Sequence, residues 1–432
     1  MKIVIASDIY YPMTNGVAVF AHNLANGLAA RGHEVMVICP SFKGYAYKRR
    51  DRKTKVLNVY TKSVRCPFYP DQINKVADQK EILGYPLPRL VYKNGIWASI
   101  NPYSEIKKVL NKFQPDVIHL QTAEGIAIAV RWYAKRHGVP MVATGHAYPD
   151  NVTGQLKLLK PVKKPLDVAL RTYMNSFLKH SEYATMPTEM AIDNLIPKNR
   201  KRFKVTVEPL SNGVDLSQFS PGKPDDKIVK KYNIAVKQPR VIYVGRVDPE
   251  KSIGTVIMAF AKVLGTNPKA ELLIVGDGTD KARLEKIVNE YDLNDNVRFL
   301  GKVMPPDLQE VYRTADVFAT ASETETQGIV LIEAAATGLP LVAVDAGAVK
   351  ELCQNKRNGI LCQPGDIDGL ANGMKKLLAD EKVRKKYGEE SLKIAERHDL
   401  NNTLARFEEI YKKALELHAE SLDEYSDEDY DL

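Results

Sequence analysis

Features that would mark a membrane-spanning or secreted chain are missing from these 432 residues. No apolar run approaches the roughly 20 residues that a membrane-crossing helix needs, so the chain is expected not to span a bilayer. "MKIVIASD" enters an apolar strand pattern at once, without the basic segment, apolar stretch and small-residue cleavage site of a secretory signal. Cysteine is scarce. Cys39, Cys66, Cys353 and Cys362 are scattered, with no C-x-x-C pair, which argues against a disulfide scaffold or a zinc site and predicts free thiols in a reducing cytosol. Acid is short in one half only. Residues 1–218 hold 32 Lys and Arg against 16 Asp and Glu, whereas residues 219–432 hold 30 against 37. The positive excess therefore sits in the first half and points to an anionic partner, either a membrane surface or nucleic acid.

What is present is an ordinary globular composition, 44% hydrophobic and 27% charged, with apolar residues enough for two cores. The length exceeds what a single core accommodates, so two domains are expected. "KIVIAS" is a continuous apolar run, as for a strand covered on both faces. After the turn "YYPMTNG", Val17, Phe20, Ala21, Leu24 and Leu28 recur at helical spacing and end before Gly32, a natural C-terminal cap. "HEVMVICP", "PDVIHLQ" and "PMVATGH" continue an alternation of strands and helices, which implies a doubly wound α/β domain with a parallel sheet. The alternation restarts after Ser211–Asp226, a stretch rich in Gly, Pro, Ser and Asp that reads as a linker. "RVIYVGRV", "AELLIVGDG", "NVRFLG", "ADVFATAS" and "PLVAVDAG" form the second α/β unit. The expected division is 1–212, 213–400, a terminal helix 401–418 packing back towards the first domain, and an acidic tail 419–432. From Glu420 that tail has seven acidic residues and no basic one, so it is expected to be disordered. The two halves are too unlike in sequence to count as a repeat.

Chemistry-bearing residues gather at the predicted strand ends of the second unit, where open parallel sheets bind ligands. Gly245 and Arg246 follow "VIYV", and Lys251 comes shortly after. An arginine fork and a lysine point charge can grip a diphosphate, although strand ends carry such cations often enough that the pair alone decides nothing. "TETQGIVLIEAAATG" adds Glu325 in a loop, Gly328 at the start of an apolar helix, and Glu333 within that helix. The helix N-terminus favours an anion, and glycine lets a ligand approach the backbone. Carboxylates would repel that anion, so their role belongs to hydroxyls on either side of it. A nucleotide-sugar has such hydroxyls on its ribose and its hexose. Alternatively, Glu325 is solvated and Glu333 is held by a structural partner, which its apolar surroundings would require.

At this point the chain resembles retaining glycosyltransferases of family four, which have the GT-B fold of two facing Rossmann-like domains with an interdomain cleft. Glu325 and Glu333 match the family's E-x(7)-E motif, and Gly245, Arg246 and Lys251 match its diphosphate-gripping "GR…K". The resemblance covers nearly the whole chain, through "LSNGVDLSQFSP", "IVGDG" and "EAAATGLPLVA". It implies that Arg246 and Lys251 neutralise the diphosphate leaving group, that Glu333 holds the ribose, and that Glu325 holds the donor sugar. Backbone amides at Gln327, Gly328 and Ile329 would contact the donor, and Gly278 in "GDG" and the "RFLGKV" stretch would wall the base. Gly16 would close on the diphosphate from the first domain, and His146 would lie beside the reacting sugar, while His119 reads as structural. The departing phosphate would take the acceptor's proton, with retention of configuration and no dedicated nucleophile. A metal is not required in that scheme, and no D-x-D pair suited to one is found, so no cofactor is expected beyond the donor substrate.

The basic half bears on the acceptor. Lys43–Arg65 holds nine Lys or Arg and one acid, Asp51. A second cluster, Lys157–Lys179, joins lysines to a stripe of Leu166, Leu170, Tyr173 and Phe177, which also suits a core-facing helix. Tyr85–Trp97 mixes aromatics with positive charge. On an anionic membrane each such cation contributes roughly 1 kcal/mol; a solvated loop is the simpler alternative. No nucleic-acid-binding signature is present. Within the family, the closest resemblance is to bacterial enzymes that glucosylate diacylglycerol. It implies UDP-glucose as donor, diacylglycerol as acceptor, and a cytoplasmic protein peripheral on the inner face of the cell membrane. "ATGHAYPD", the basic insertion and the acidic tail depart from that pattern. A soluble sugar or polysaccharide acceptor, and a non-catalytic nucleotide-sugar-binding protein, remain as alternative readings, and oligomeric state is not legible. The opposite charges of tail and first half suggest that the tail competes with a membrane.

Overall fold

The structure, a computed structural model, describes residues 1–11, 13, 15–65, 81–82, 85–86, 97–149, 163–196, 203–234 and 238–428. Most of Tyr85–Trp97, Lys157 and Lys160 of the second basic cluster, Thr14, Cys66 and residues 429–432 lie outside this set. The described residues form two compact units, the first of those up to 211 together with 401–428, the second of those within 212–400.

In the first unit, β1 (Lys2–Ala6), β2 (Glu34–Pro40), β3 (Tyr47–Arg50), β4 (Leu57–Thr61), β5 (Val117–Leu120), β6 (Met141–Thr144), β7 (Tyr183–Met186) and β8 (Thr206–Pro209) make one sheet. Its order is β8-β7-β6-β5-β1-β2-β4-β3. All pairs are parallel except β3 with β4. The apolar runs are buried along their length, Ile3, Val4 and Ile5 completely, because helices cover both faces. Helix α1 (Gly16–Ala30) starts at Asn15, whose Oδ1 accepts from Ala18 N at 2.9 Å, and buries Phe20, Ala21, Leu24 and Leu28. Val17 stays half-exposed. Helices α2 (Gly125–His137) and α3 (Lys163–Lys179) pack on the same sheet. Along α3, Met174, Phe177 and Leu178 face the core, while Tyr173 is exposed.

The second unit holds β9 (Arg240–Val244), β10 (Glu271–Val275), β11 (Val297–Gly301), β12 (Val317–Ala319), β13 (Leu341–Val344) and β14 (Gly359–Cys362). They are ordered β11-β10-β9-β12-β13-β14 and all parallel. This is the Rossmann order, and it repeats the β4-β2-β1-β5-β6-β7 run of the first unit. The topology is thus duplicated where the sequence is not. Helix α4 (Ile329–Ala336) begins at Gly328, whose φ of 84° suits glycine.

Ser211–Asp226 and the last helix differ from expectation. Ser211–Asp226 is no free linker. Val214 N donates to His398 O at 2.8 Å, Leu400 N donates to Val214 O, and Phe219 is buried against Tyr312. Its turn residues bend it across the second unit, and its apolar residues anchor it there. The last helix, α5 (Leu400–Glu428), runs well past His418 into the stretch expected to be disordered. Its apolar stripe fixes its first turns on the first unit, and helix propagation is favourable once begun. Cys39, Cys353 and Cys362 are buried free thiols.

Candidate active site

In a doubly wound sheet the strand order reverses between two neighbours, leaving a crevice outside their carboxyl ends. In the second unit those neighbours are β9 and β12. The loop after β9 carries Gly245, Arg246 and Lys251, and the loop after β12 carries Ser322 and Glu325. Residues far apart in sequence thereby meet. Lys251 Nζ lies 2.6 Å from Glu325 Oε1 and 3.4 Å from Ser322 Oγ. Arg246 pairs through Nη1 with Asp248 and through Nη2 with Glu250. Lys251 and Glu325 are mostly buried, whereas the Arg246 side chain is a third exposed.

The loops that carry these groups are interlocked through glycine. Gly276, at the end of β10, has φ 138°, and a Cβ there would stand 1.8 Å from Gly245 O. A Cβ on Gly278 would stand 2.3 Å from Val247 O. Val247 N donates to Asp277 O, and Asp280 N to Val247 O. Asp248, 5% exposed, accepts from Thr279 N at 2.9 Å and from Thr279 Oγ1 at 3.0 Å. Tyr243, buried on β9, donates to Arg246 O at 2.9 Å. On the other loop, Ala348 N donates to Glu325 O at 3.1 Å. The cations and Glu325 are therefore presented by loops tied to neighbouring backbone through hydrogen bonds.

Burial raises the Glu325 carboxyl, but the charge and hydrogen bond of Lys251, with Ser322 and Arg246, hold it below the ordinary carboxylate value. Glu333, in the middle of α4, behaves oppositely: burial pushes it up to about 7, against the hydrogen bond from Tyr312. The Tyr312 hydroxyl lies 2.9 Å from Glu333 Oε2 and is the structural partner that an apolar helix demands. Gly328 and Ile329 form the start of α4 beside Glu325. Gln327 is buried, and its Oε1 accepts from Asn212 N at 3.2 Å. Among the described residues no three His, Cys, Asp or Glu side chains converge as metal ligands.

The corresponding reversal in the first unit lies between β1 and β5. Asp8, beyond β1, is buried and accepts from Ile126 N at 3.0 Å and from Thr122 Oγ1 at 3.1 Å, capping α2. Burial, aided by Glu124, pushes its carboxyl up to about 7. His146, beyond β6, lies 2.8 Å through Nε2 from Gln121 Oε1, with the Phe20 ring of α1 edge-on. Burial lowers its pKa to about 3, so the imidazole is neutral. Gly16 opens α1. His119 lies inside the core between Tyr411 and Thr144, at 2.8 and 2.7 Å, a structural residue.

Both halves match family models, "Glycosyltransferase Family 4" over residues 14–218 and "Glycosyl transferases group 1" over residues 224–393. This chain belongs to glycosyltransferase family four. Alpha-monoglucosyldiacylglycerol synthase of Acholeplasma laidlawii is 28% identical over 366 residues, 83% of this chain and 84% of its own. N-acetyl-alpha-D-glucosaminyl L-malate synthase of Bacillus anthracis is 26% identical over 413 residues, 94% of this chain and 96% of its own. Sucrose-phosphate synthase from Thermosynechococcus elongatus shares the GT-B fold, with a TM-score of 0.71 at 19% identity over 95% of this chain and 98% of that one. The family-four glycosyltransferase thus brings together Arg246, Lys251 and Glu325 in its second unit and carries Gly16 and His146 in its first. Asp248, Glu250 and Ser322, as well as Tyr312 and Gln121, were missed from sequence. "GRVDPEK" holds a signal for two of them, since it sets two carboxylates between two cations.

Proposed function

We propose that this glycosyltransferase transfers a hexose, with retention, from a nucleotide-sugar to a membrane lipid, with UDP-glucose as donor and diacylglycerol as acceptor. The observation that carries the donor half is the meeting of Arg246, Lys251 and Glu325 at the strand-order reversal of the second unit. Breaking the sugar–phosphate bond builds positive charge on the sugar and negative charge on the departing phosphate. Arg246 and Lys251 stabilise that phosphate in the transition state more than in the ground state, because its charge grows. Glu325, held ionised, accepts hydrogen bonds from sugar hydroxyls, and Glu333 from the ribose. The acceptor's proton passes to the departing phosphate. No metal takes part in this scheme. His146, neutral, lies beside the reacting sugar in this scheme.

The lipid half rests on the first unit's surface and on the Acholeplasma relative's name. Tyr45, Ile128, Trp132, Val168 and Tyr173 are exposed in this unit, which also carries the exposed cations of β3 and its turn, Lys48, Arg50, Arg52 and Lys53. No helix among the described residues is long and apolar enough to cross a membrane, which fits a peripheral mode of binding. The Bacillus relative, named for an L-malate product, favours a soluble acceptor as the second reading.

Nucleoside diphosphate release from a donor panel, with and without anionic vesicles containing diacylglycerol, separates the two. Release with UDP-glucose that needs the vesicles is expected, and Glu325→Ala should lower it by about 100-fold or more. Release indifferent to lipid overturns the lipid acceptor, and release indifferent to Glu325 overturns the site.

A further inference from the structure

Among the described residues, the proposed donor site contains more carboxylates than cations. Arg246 is engaged by Asp248 and by Glu250, and Lys251 by Glu325. Two positive groups thus face three negative ones, which is the wrong balance for a ligand that is itself at least a dianion. Like charges brought together in a partly buried site repel strongly. Asp248 and Glu250 each take a donor of the Arg246 fork and offset its charge, so a diphosphate gains the full pull of the guanidinium when one of them leaves.

The three carboxylates are not equally able to move. Asp248 is buried and pinned by two hydrogen bonds from Thr279, across to the loop after β10. Glu325 is anchored through its backbone by Ala348 and through its side chain by Lys251. Glu250 sits in the single 3-10 turn Pro249–Lys251, and its carboxylate reaches Arg246 from four residues away. Its side chain needs only a rotamer change to give up Nη2, whereas moving Asp248 would break the loop–loop join.

We infer that Glu250 is a displaceable counter-ion for Arg246. It holds the guanidinium in place while the site is empty, yields Nη2 to the donor diphosphate, and returns as the nucleoside diphosphate leaves. The arginine is thereby pre-oriented, and the product is not retained by an unopposed pair of cations. Glu250 is on this view a positioning residue that sets product affinity. The inference rests on the donor-site reading above.

Calorimetric titration of UDP and of GDP into the full chain tests it, with wild type, Glu250→Gln, Glu250→Ala and Arg246→Ala compared and thermal melts recorded for each. Loss of the competing charge should make both Glu250 variants bind the nucleoside diphosphate about tenfold more tightly. High salt should shrink that gain, and product inhibition of turnover should rise in step. General structural damage would weaken binding, so a tightening is not its signature. If wild type binds and depends on Arg246, but both folded Glu250 variants bind equally or less well, the counter-ion role is wrong and the donor site stands. If wild type binds neither nucleotide, the donor-site reading falls and this inference falls with it.

Discussion

Glu333 shows how much one burial decides. Its carboxyl sits in an apolar helix, takes a hydrogen bond from Tyr312, and is pushed from 4.5 up to about 7. The folded chain therefore holds this proton more tightly than the unfolded chain does. Below pH 4.5 the group is protonated in both states; between 4.5 and 7 the unfolded chain releases the proton while the fold retains it, so the fold loses stability progressively as pH rises. Glu333→Gln removes that titration. Relative to wild type, the variant should gain stability on going from pH 4.5 to pH 8, by on the order of 2–3 kcal/mol. Urea melts at the two pH values check this, and a difference that does not change with pH would show that Glu333 is not the titrating group. That a carboxylate in "GIVLIEAAA" needs a partner was legible in the sequence. That the partner is Tyr312 was not, because the two meet only through the packing of their helices.

At the scale of elements, the last helix does the most. Phe407 and Tyr411 of α5 pack on His119, Leu404 lies over Gly27 of α1, and Arg406 pairs with Glu208 at the end of β8. His119 has no access to water, so both ring nitrogens rely on Tyr411 and Thr144. Tyr411→Phe keeps the ring and strands Nδ1. It should destabilise the first unit by about 1–3 kcal/mol, read by chemical denaturation, while nucleotide binding is retained. The amphipathic period of α5 was visible in its residues, but its docking face was not, since an apolar stripe does not name what it covers. The basic Lys43–Arg65 stretch, which read as a loop, likewise forms the edge strand β3 and its turn into β4. Tyr47 of β3 stacks on Tyr60 of β4 at 4.2 Å, and Lys43 stands over the Tyr47 ring. Cross-strand aromatic pairing outweighed the low strand propensity of the charged residues around it.

Across the whole molecule, the positive excess lies in the unit with most of the exposed large apolar residues. The proposed membrane role then requires binding driven by charge. The full chain should sediment with anionic vesicles at low salt and be released at high salt, and it should ignore neutral vesicles. Lys48→Glu and Arg50→Glu should each weaken binding roughly fivefold or more, and truncation before Glu420 should strengthen it if the acidic tail competes. Equal binding to neutral vesicles would remove the charge argument. Most element types, their alternation and the family were readable along the chain, because periodicity and motif spacing are local properties. The carboxylates that engage the cations were decided only in three dimensions. Lys251 and Glu325 are 74 residues apart, and they meet because β9 pairs with β12 where the strand order reverses. Glu250 competes for Arg246 because a tight turn brings it back within reach of the guanidinium.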